Sequence, residues 1–250
     1  MTDAPHKQRL DVALVARGLV VSRARAKDIV KRGEVRVAGV VVARTSMLVG
    51  PDSVIELAPG AGDYISRGAL KLRPALSAFG LSPAGRVALD VGASTGGFTE
   101  VLLLGGAAKV YAIDNGRDQL HPRLKCDPRV VSHEETDSRR LSVDLILEPI
   151  GALVADVSFI SLRKALPAAL ALAAPGCWLV ALIKPQFEAE PSWIPKDGVV
   201  TDPDVHEDVV DAVRDWFAGR PGWRVIGLMD SPLRGGDGNA EFLIGAMHDG

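Results

Sequence analysis

Two nearly all-apolar segments of the chain end in charged residues that could do chemistry. Gly151–Asp156 ends in an aspartate, and Cys177–Lys184 ends in a lysine. Ligands of open α/β sheets bind at the carboxyl ends of parallel strands, so the two charges are predicted to meet at a binding site. One interpretation is an ion pair that only joins two strand ends. The other is a lysine whose neutral amine, favoured by burial and by a neighbouring cation, acts as a general base.

A glycine-rich loop lies between a predicted strand and a predicted helix within Arg86–Leu104. A strand, a tight turn and a helix in this order are typical of nucleotide-binding α/β units, which hold the ligand where the strand ends. The spacing D-x-G-x-S-x-G-G departs from the G-x-G-x-x-G fingerprint of dinucleotide-binding proteins. The loop residues predicted to bind a cofactor are Asp90, Gly92, Ser94, Thr95, Gly96, Gly97 and Phe98.

Two further strand ends supply acidic residues for the same site. Lys109–Asp114 is apolar and ends in an acid about twenty residues beyond the loop, which suits a carboxylate that binds a ribose diol. Asp137 follows a third predicted strand, near 129–132. Asp137 could contact an adenine amine, or it could be a plain turn residue. Asp156 is predicted to lie near the cofactor as well.

Charge is distributed unevenly over the 250 residues, whose net charge is −2. The first fifty residues hold ten lysines and arginines against four acidic residues, which indicates a phosphate-binding module in front of an acidic body. The two cysteines lie far apart and the five histidines show no metal-ligand spacing, so neither a metal site nor a disulfide framework is predicted. Without an apolar leader or a run of membrane-spanning length, the chain is predicted to be cytoplasmic, with no membrane partner.

The basic amino-terminal segment is predicted to form a small α+β domain. Its predicted helices are 9–18 and 23–32, and its predicted strands are 34–37, 40–43 and 53–56. Ser22 is the expected N-cap of the second helix. The cations on and around these helices form either an RNA-binding face or an ordinary solvated one. The residues predicted to bind RNA are Arg9, Arg17, Arg23, Arg25, Lys27, Lys31, Arg32 and Arg67.

This segment resembles the αL-motif RNA-binding domain, which docks two short helices on structured RNA through phosphate contacts. The resemblance rests on motifs that include Arg9-Leu-Asp11, Ala16-Arg17-Gly18-Leu19, Ser22-Arg23 and Gly33. Ala38 stands where the family usually has asparagine. The resemblance implies that the segment is the RNA-binding part of the protein.

The rest of the chain alternates predicted strands and helices. This alternation predicts an α/β fold with a Rossmann-like, mostly parallel sheet that has one antiparallel strand near its edge. The predicted domains are 1–57 and 64–250, with 58–63 as a linker rich in small residues. One helix is predicted from Ser161 to about Ala173 and another from Pro203 to about Ala218. Residues 188–200 form an irregular insert that could act as a lid.

From Lys71 to Glu241 the chain resembles the FtsJ-type ribose 2′-O-methyltransferases, which carry a Lys-Asp-Lys-Glu tetrad. The matching motifs include D-V-G-A-S-T-G-G-F-T at 90–99, D-V-S-F-I-S-L at 156–162, I-K-P-Q-F-E at 183–188 and G-N-A-E-F at 238–242. With the amino-terminal domain in front, the chain resembles the TlyA family of ribosomal RNA methyltransferases. One departure is Arg234–Asp237, where the family tends to have a Gly-Pro pair.

The resemblance implies S-adenosylmethionine as the cofactor, no metal, and ribosomal RNA in the 30S or 50S subunit as the substrate. The implied target is a cytidine ribose in 16S rRNA, 23S rRNA or both. Lys184 would take the proton of the 2′-hydroxyl or hold the developing alkoxide, and Asp156 would orient Lys184 near the sulfonium. Lys71 and Glu241 would position the hydroxyl, because alignment of the reacting atoms supplies much of such a rate.

Three other functions compete with this one. A membrane-lytic protein, which the haemolysin label of the family suggests, would need an amphipathic membrane segment, and none is predicted. An RNA-binding protein without activity would have no need of all four tetrad residues. The third alternative is methylation of a small molecule or of a base. A base methyltransferase would be expected to end a strand in Asn/Asp-Pro-Pro-aromatic, and Asp156-Val-Ser-Phe159 differs from that motif.

Overall fold

The computed structural model describes residues 7–20, 22–58, 61 and 64–250. The chain divides into two units, Met1–Arg67 and Gly68–Gly250. Most of the predicted linker at 58–63 lies outside the described residues, so its role stays a prediction. Within the described part of the chain, no helix combines the length and the apolarity needed to cross a bilayer.

The first unit contains two helices and five short strands among its described residues. The helices are α1 (Leu10–Ala16) and α2 (Arg23–Lys31), and the strands are β1 (Gln8–Arg9), β2 (Val35–Val37), β3 (Val40–Val41), β4 (Leu48–Val49) and β5 (Ile55–Leu57). The Ser22 hydroxyl accepts a hydrogen bond from the Arg25 amide at 3.2 Å and caps α2. This cap confirms the predicted start of the helix.

Apolar residues of both helices pack against the strands of this unit and form its core, with Leu10, Leu14 and Ile29 fully buried. The strands β3, β2 and β5 form an antiparallel sheet in that order, while β1 pairs with β4. The sequence analysis did not predict the β1–β4 pair, because strands of two residues carry no periodicity. The α+β architecture itself is confirmed.

The turn between β2 and β3 holds two residues in the left-handed region. Ala38 has φ 51° and Gly39 has φ 78°. Both central residues of a type I′ hairpin turn need positive φ, for which asparagine followed by glycine is the preferred pair. Alanine at position 38 therefore carries backbone strain that an asparagine would reduce.

The second unit is built on a seven-stranded sheet. Its strands are β6 (Val87–Val91), β7 (Lys109–Ile113), β8 (Val130–His133), β9 (Ile150–Ala155), β10 (Ala173–Ile183), β11 (Trp223–Asp230) and β12 (Phe242–His248). The order across the sheet is β11-β12-β10-β9-β6-β7-β8. Only β12 runs against its neighbours, pairing antiparallel with both β10 and β11. The predicted mostly parallel, Rossmann-like sheet is confirmed.

Helices cover both faces of this sheet. The helices are α3 (Gly68–Ala78), α4 (Gly97–Leu104), α5 (Pro122–Lys125), α6 (Leu162–Ala165), α7 (Pro167–Leu170), α8 (Pro185–Glu188) and α9 (Pro203–Ala218). Buried residues of α6, α7 and α9 join those of the strands in one large apolar core. The predicted helix at Pro203–Ala218 is confirmed.

The single helix predicted from Ser161 to about Ala173 is wrong. The segment forms the two short helices α6 and α7, and Ala173 already belongs to β10. Pro167 separates the two helices, because proline has no amide hydrogen to continue the hydrogen-bond ladder and its ring clashes with the preceding turn. Alanine and leucine favour helix, and their high content in this segment led to the prediction of one unbroken helix.

The position of α3 depends on two glycines in the sheet. Gly227 of β11 pairs with Gly245 of β12, and the Phe79 ring just after α3 lies directly over both of them. A Cβ on either glycine would come within 2.7 Å of that ring. This close approach fixes the helix that carries Lys71 against the antiparallel edge of the sheet.

Candidate active site

A cavity of about 570 Å³ opens at the carboxyl ends of β6, β7 and β9. This is where ligands of open α/β sheets bind, and the volume suits a nucleoside-sized molecule. Five of the predicted cofactor-binding residues line it, namely Gly92, Ser94, Asp114, Asp137 and Asp156. Two residues of the glycine-rich loop and three strand-end acids therefore lie at one cavity.

Gly92 allows the loops after β6 and β9 to meet. Its φ is 82°, and a Cβ there would lie 2.5 Å from the backbone oxygen of Asp156. A side chain at this position would therefore force apart the two loops that form the cavity wall. Only glycine satisfies both the left-handed conformation and the close approach.

The other predicted loop residues are not among those lining the cavity. Thr95 is exposed, while Gly96, Gly97 and Phe98 are buried at the start of α4. Gly96 has φ 97°, and a Cβ there would lie 2.1 Å from a methyl carbon of Leu124. These residues shape the loop, and any direct contact with a cofactor stays a prediction.

Asp114 holds two loops together. Its carboxylate accepts hydrogen bonds from the backbone amides of Ser94 and Gly116, each at 2.7 Å. The glycine-rich loop and the loop after β7 are thereby fixed beside the cavity. Each carboxylate oxygen has a second lone pair that can accept a hydrogen bond from a ribose hydroxyl, and this contact stays a prediction.

Asp137 is a turn residue that also lines the cavity. It caps a short 3₁₀ helix at Ser138–Arg140 by accepting the Arg139 amide at 3.0 Å. The Arg139 guanidinium, 2.6 Å away, holds the pKa of this carboxyl down at about 2. The turn role weighed in the sequence analysis is present, and the contact with adenine stays a prediction.

Asp90 lies fully buried behind the cavity wall. The Thr99 hydroxyl donates to its Oδ2 atom at 2.6 Å, and Oδ1 has no hydrogen-bond partner among the described residues. The pKa of this carboxyl is raised to about 7, chiefly by burial and in part by the charges of Asp156 and Asp114, although the hydrogen bonds from Thr99 lower it. Asp90 thus has an oxygen without a partner in the described part of the chain and lies near two other acidic residues, Asp114 and Asp156. These three side chains make this end of the cavity favourable for a cationic ligand group.

Asp156 and Lys184 form an ion pair at the edge of the cavity. The Lys184 Nζ atom lies 2.6 Å from Asp156 Oδ1, and it donates to the Ser158 hydroxyl at 2.9 Å. Both Asp156 and Ser158 line the cavity. Two contacts of the lysine nitrogen are thus made by the loop after β9.

Lys71 and Glu241 form the second ion pair of the predicted tetrad. Lys71 Nζ lies 2.5 Å from Glu241 Oε2, and both side chains are buried. Burial raises the pKa of Glu241, while the charges of Lys71 and Lys184 lower it and that of Asp156 raises it. The structure therefore brings all four predicted catalytic residues within electrostatic reach of one another.

Three residues of this region were missed by the sequence analysis. Ser158 contacts Lys184, and Phe159 lies beside it with 92% of its surface exposed and φ 64°. Asn239 is fully buried, accepts the Val200 amide at 2.8 Å and donates to the Gly198 carbonyl at 2.9 Å. A polar residue just past a strand-end acid is the signal that could have identified Ser158.

Of the eight predicted RNA-binding residues, six arginines contact other residues of the first unit and two lysines have no ion-pair partner among the described residues. Arg17 donates to the carbonyls of Gly50, Pro51 and Ser53, and Arg32 donates to those of Tyr64 and Ile65. These two arginines stabilise the unit itself.

Arg9 and Arg23 pair with the buried Asp11, whose pKa they lower to about 2. Arg25 donates to Tyr64 and pairs with Asp28, and Arg67 donates to the Arg32 carbonyl. Within the part of the chain that the structure describes, Lys27 and Lys31 are exposed and have no ion-pair partner. Among the predicted RNA-binding residues, these two exposed lysines are the best suited to contact phosphates.

The geometry agrees with comparisons to known proteins. The FtsJ-like methyltransferase family matches residues 64–247, and the S4 domain family matches residues 8–55. The 16S/23S rRNA (cytidine-2′-O)-methyltransferase TlyA of Mycobacterium tuberculosis is 42% identical over 239 residues, which are 95% of this chain and 89% of that protein. Hemolysin A of Brachyspira hyodysenteriae is 37% identical, covering 94% of this chain and 98% of its own length.

A solved structure described as a hemolysin, from Streptococcus thermophilus, has a TM-score of 0.74 and 38% identity. It covers 98% of this chain and 90% of its own. A parallel sheet with one reversed strand, a glycine-rich loop and a strand-end cavity define an S-adenosylmethionine-dependent methyltransferase fold. The chain belongs to the TlyA family of FtsJ-like methyltransferases.

Proposed function

We propose that this protein transfers the methyl group of S-adenosylmethionine to a ribose 2′-oxygen of ribosomal RNA. The observation that carries the proposal is the electrostatic coupling of two ion pairs, Lys71–Glu241 and Asp156–Lys184, with Asp156 lining the cavity. The M. tuberculosis relative is named as acting on cytidine in 16S and 23S rRNA, and the same substrate is proposed here. Ribosomal RNA as substrate implies that the protein works in the cytoplasm.

The cavity residues fit the cofactor that the family uses. Asp114 would hold the ribose hydroxyls, Asp137 would lie near the adenine, and the loop at Gly92 and Ser94 would approach the amino-acid part. The unpartnered Asp90 oxygen behind this loop supports a cationic group there. When bound, the cofactor supplies an electrophilic methyl group on a cationic sulfur.

Lys184 is assigned the role of accepting the proton of the ribose hydroxyl. The bound cofactor would supply the methyl group to the 2′-oxygen and would keep the electron pair of its carbon–sulfur bond, while the hydroxyl proton would pass to the lysine amine. Asp156, 2.6 Å away, stabilises the ammonium ion that results. Ser158 restricts the rotation of the same nitrogen through its 2.9 Å hydrogen bond. Proton transfer of this kind contributes roughly 10²–10⁴-fold to a rate.

Lys71 and Glu241 are assigned the alignment of the ribose. Their pair is buried next to the other two charges, so it can present a fixed donor and acceptor to the attacking hydroxyl. Gly235 approaches this pair closely, because a Cβ there would lie 2.9 Å from Glu241 Oε1. Alignment of the attacking oxygen with the methyl group and the leaving sulfur would be the contribution of these residues.

Phe159 is assigned a contact with the target base. Its ring is 92% exposed at the cavity and lies 5.1 Å from the ring of Phe187, centre to centre. A ribose at Lys184 in folded RNA would have to leave its helix, and an exposed aromatic ring next to the site could stack on the freed base. Stacking of this kind is worth about 1–3 kcal/mol per base.

Methyl transfer from labelled S-adenosylmethionine to unmodified 30S and 50S subunits tests the proposal. The wild-type protein is expected to label one subunit or both, and prior 2′-O-methylation of the target is expected to block the label. Lys184→Ala should lower incorporation at least about 10²-fold. Lys164→Ala, which changes an exposed lysine outside the site, is the matched control and should retain activity.

Two outcomes would reject the proposal. If neither subunit is labelled although the protein binds S-adenosylhomocysteine, ribosomal RNA is not the substrate, and an RNA-binding protein without this activity becomes the better description. If Lys184→Ala labels as fast as wild type, the lysine does not assist the reaction. Leakage from liposomes at the same protein concentration would instead support the membrane-lytic alternative.

A further inference from the structure

Glu188 is a buried carboxylate without a part in the proposed reaction. It ends α8, the single helical turn that begins directly after Lys184, and its side chain is only 3% exposed. Its Oε1 atom accepts a hydrogen bond from the Leu162 amide at 2.5 Å. Its Oε2 atom lies 3.6 Å from the Arg163 guanidinium and has no hydrogen-bond partner among the described residues.

This carboxylate joins the two segments that carry the reaction groups. The loop between β9 and α6 bears Ser158 and Phe159, and the segment after β10 bears Lys184. At one end the loop is fixed by the contacts of Lys184 with Asp156 and Ser158. At the other end it is fixed where Glu188 receives the Leu162 amide. The loop is thus held at both ends by the same short stretch of chain.

Two further contacts strengthen the second attachment. The Arg163 guanidinium donates to the backbone carbonyl of Glu188 at 3.2 Å, and the rings of Phe159 and Phe187 lie against each other. Phe159 adopts φ 64°, a conformation that a bulky residue keeps only where its surroundings enforce it. A loop under this strain requires firm attachment on both sides.

We infer that Glu188 is a positioning residue, whose carboxylate holds the 157–161 loop so that Ser158 contacts Lys184 and Phe159 stays at the cavity. This inference rests on the proposed function, because it assigns a role in that same reaction. The essential feature is an oxygen that accepts the Leu162 amide, since an apolar side chain of equal size would leave this buried amide unpaired. Glu188 acts through the loop and does not touch the substrate.

The ionisation of Glu188 supports the emphasis on the acceptor rather than on the charge. Burial raises the pKa of this carboxyl to about 7, although the Leu162 amide and Arg163 lower it. The neutral form is therefore populated near neutral pH. Glutamine, which keeps a neutral acceptor oxygen of the same length, is accordingly a suitable conservative replacement.

Three variants measured beside wild type test the inference. Glu188→Ala removes the acceptor, Glu188→Gln keeps it, and Glu190→Ala changes an exposed acid two residues further along as a control. The measurements are single-turnover methyl transfer, the Kd for S-adenosylhomocysteine, and hydrogen exchange of the peptide covering 157–163. We expect Glu188→Ala to lower the rate about tenfold or more with a Kd unchanged within about twofold, because misplaced reacting groups slow the chemical step.

Glu188→Ala should also speed exchange in the 157–163 peptide, while Glu188→Gln and Glu190→Ala behave like wild type in all three measurements. The inference is overturned if Glu188→Ala keeps the full rate, if glutamine fails to rescue, or if cofactor affinity falls by the same factor as the rate. If wild type labels no RNA at all, the proposed function fails instead. Hydrogen exchange then still decides whether Glu188 holds the loop.

Discussion

Lys71 and Glu241 lie 170 positions apart in the sequence, yet 2.5 Å separates the lysine nitrogen from a carboxylate oxygen. Lys71 belongs to the helix before the first strand of the sheet, and Glu241 comes directly before β12, the reversed strand. The pair therefore joins the first helix of the second unit to the start of its last strand. It does so beside Asp156 and Lys184, so the same contact contributes to the fold and to the site.

Breaking this pair from one side should destabilise the protein. Lys71→Met leaves the Glu241 carboxylate buried without its partner, and a buried charge that loses its partner typically costs about 3–5 kcal/mol. Urea unfolding of the full chain at neutral pH would measure the change. Methyl transfer should be lost as well, because the ribose would no longer be aligned.

The double variant Lys71→Met with Glu241→Leu separates the two effects. Removing both charges should restore most of the stability, since no unpaired charge is left, but it should restore none of the activity. A single variant that unfolds at the same urea concentration as wild type would show that the pair contributes little to stability. A double variant with full activity would exclude the pair from the reaction.

Gly92→Ala should weaken cofactor binding. The added methyl group would meet the Asp156 carbonyl at 2.5 Å, and the residue would be held at φ 82°. The loop would have to move away from the cavity, so the Kd for S-adenosylhomocysteine measured by calorimetry should rise at least about tenfold, or about 1.4 kcal/mol.

Gly236→Ala is the matched control for this change, because a Cβ at Gly236 meets nothing within 4 Å and the residue does not have a positive φ. Its affinity should equal that of wild type. Equal affinities of the Gly92 variant and wild type would show that the close approach of the two loops is not needed for binding.

Asp90 should make stability depend on pH. Burial raises its folded-state pKa from 3.8 to about 7, so the folded protein binds the proton more tightly than the unfolded chain does. Its stabilising contribution is therefore complete below about pH 4 and is lost as the pH rises to about 7. Urea unfolding at several pH values should show the free energy of unfolding falling across this window.

Asp90→Asn isolates this contribution, because the amide keeps a partner for Thr99 but does not titrate. The difference in unfolding free energy between wild type and variant should change with pH over the same window, even though Glu188 has a similarly raised pKa in both proteins. A difference that stays constant from pH 4 to pH 7 would contradict the assignment of the raised pKa to Asp90.

Lys27 and Lys31 should contribute to RNA affinity through charge alone. Each exposed ammonium that meets a phosphate releases a counterion, so replacing one by alanine should lower the slope of log K against log salt by about one. Filter binding of ribosomal RNA fragments over a range of salt concentrations would measure this slope. Slopes unchanged in both variants would place the RNA contact elsewhere on the protein.

Arg17→Ala provides a contrast in the same unit. Its guanidinium serves three backbone carbonyls, so its loss should lower stability by about 1–3 kcal/mol through unpaired backbone groups. Hydrogen exchange in peptides around Gly50 and Ser53 should report that loss. The salt dependence of RNA binding should change less than in the lysine variants.

The sequence predicted the strand ends well, because there the signal was local. Apolar runs that end in Asp114, Asp156 and Lys184 indicate strand ends, and strand ends of a parallel sheet converge at one edge. The sheet order then brings Asp114 and Asp156 to one cavity, and Lys184 pairs with Asp156 there. The tetrad residue Lys71, on a helix outside the parallel strands, was assigned through family resemblance, since no local pattern connects it with Glu241.

Contacts between distant segments were beyond the reach of sequence patterns. The basic residues Arg17 and Arg32 were predicted to bind RNA. In the structure their guanidinium groups donate hydrogen bonds to backbone carbonyls more than thirty residues away. No sequence pattern indicated that Glu188 contacts another loop, because its partner there is the backbone amide of Leu162 and not a side chain. The break at Pro167 was local, but the alanine-rich composition outweighed it in the prediction.

The position of the transferred methyl group distinguishes ribose methylation from base methylation. Ribosomal subunits labelled from S-adenosylmethionine would be hydrolysed with alkali, in which a 2′-O-methyl group protects the adjacent phosphodiester because the attacking hydroxyl is blocked. We predict that the label appears in alkali-stable dinucleotides with wild type and is absent with Lys184→Ala. Label released as mononucleotides would mean that a base is methylated, and would contradict the account.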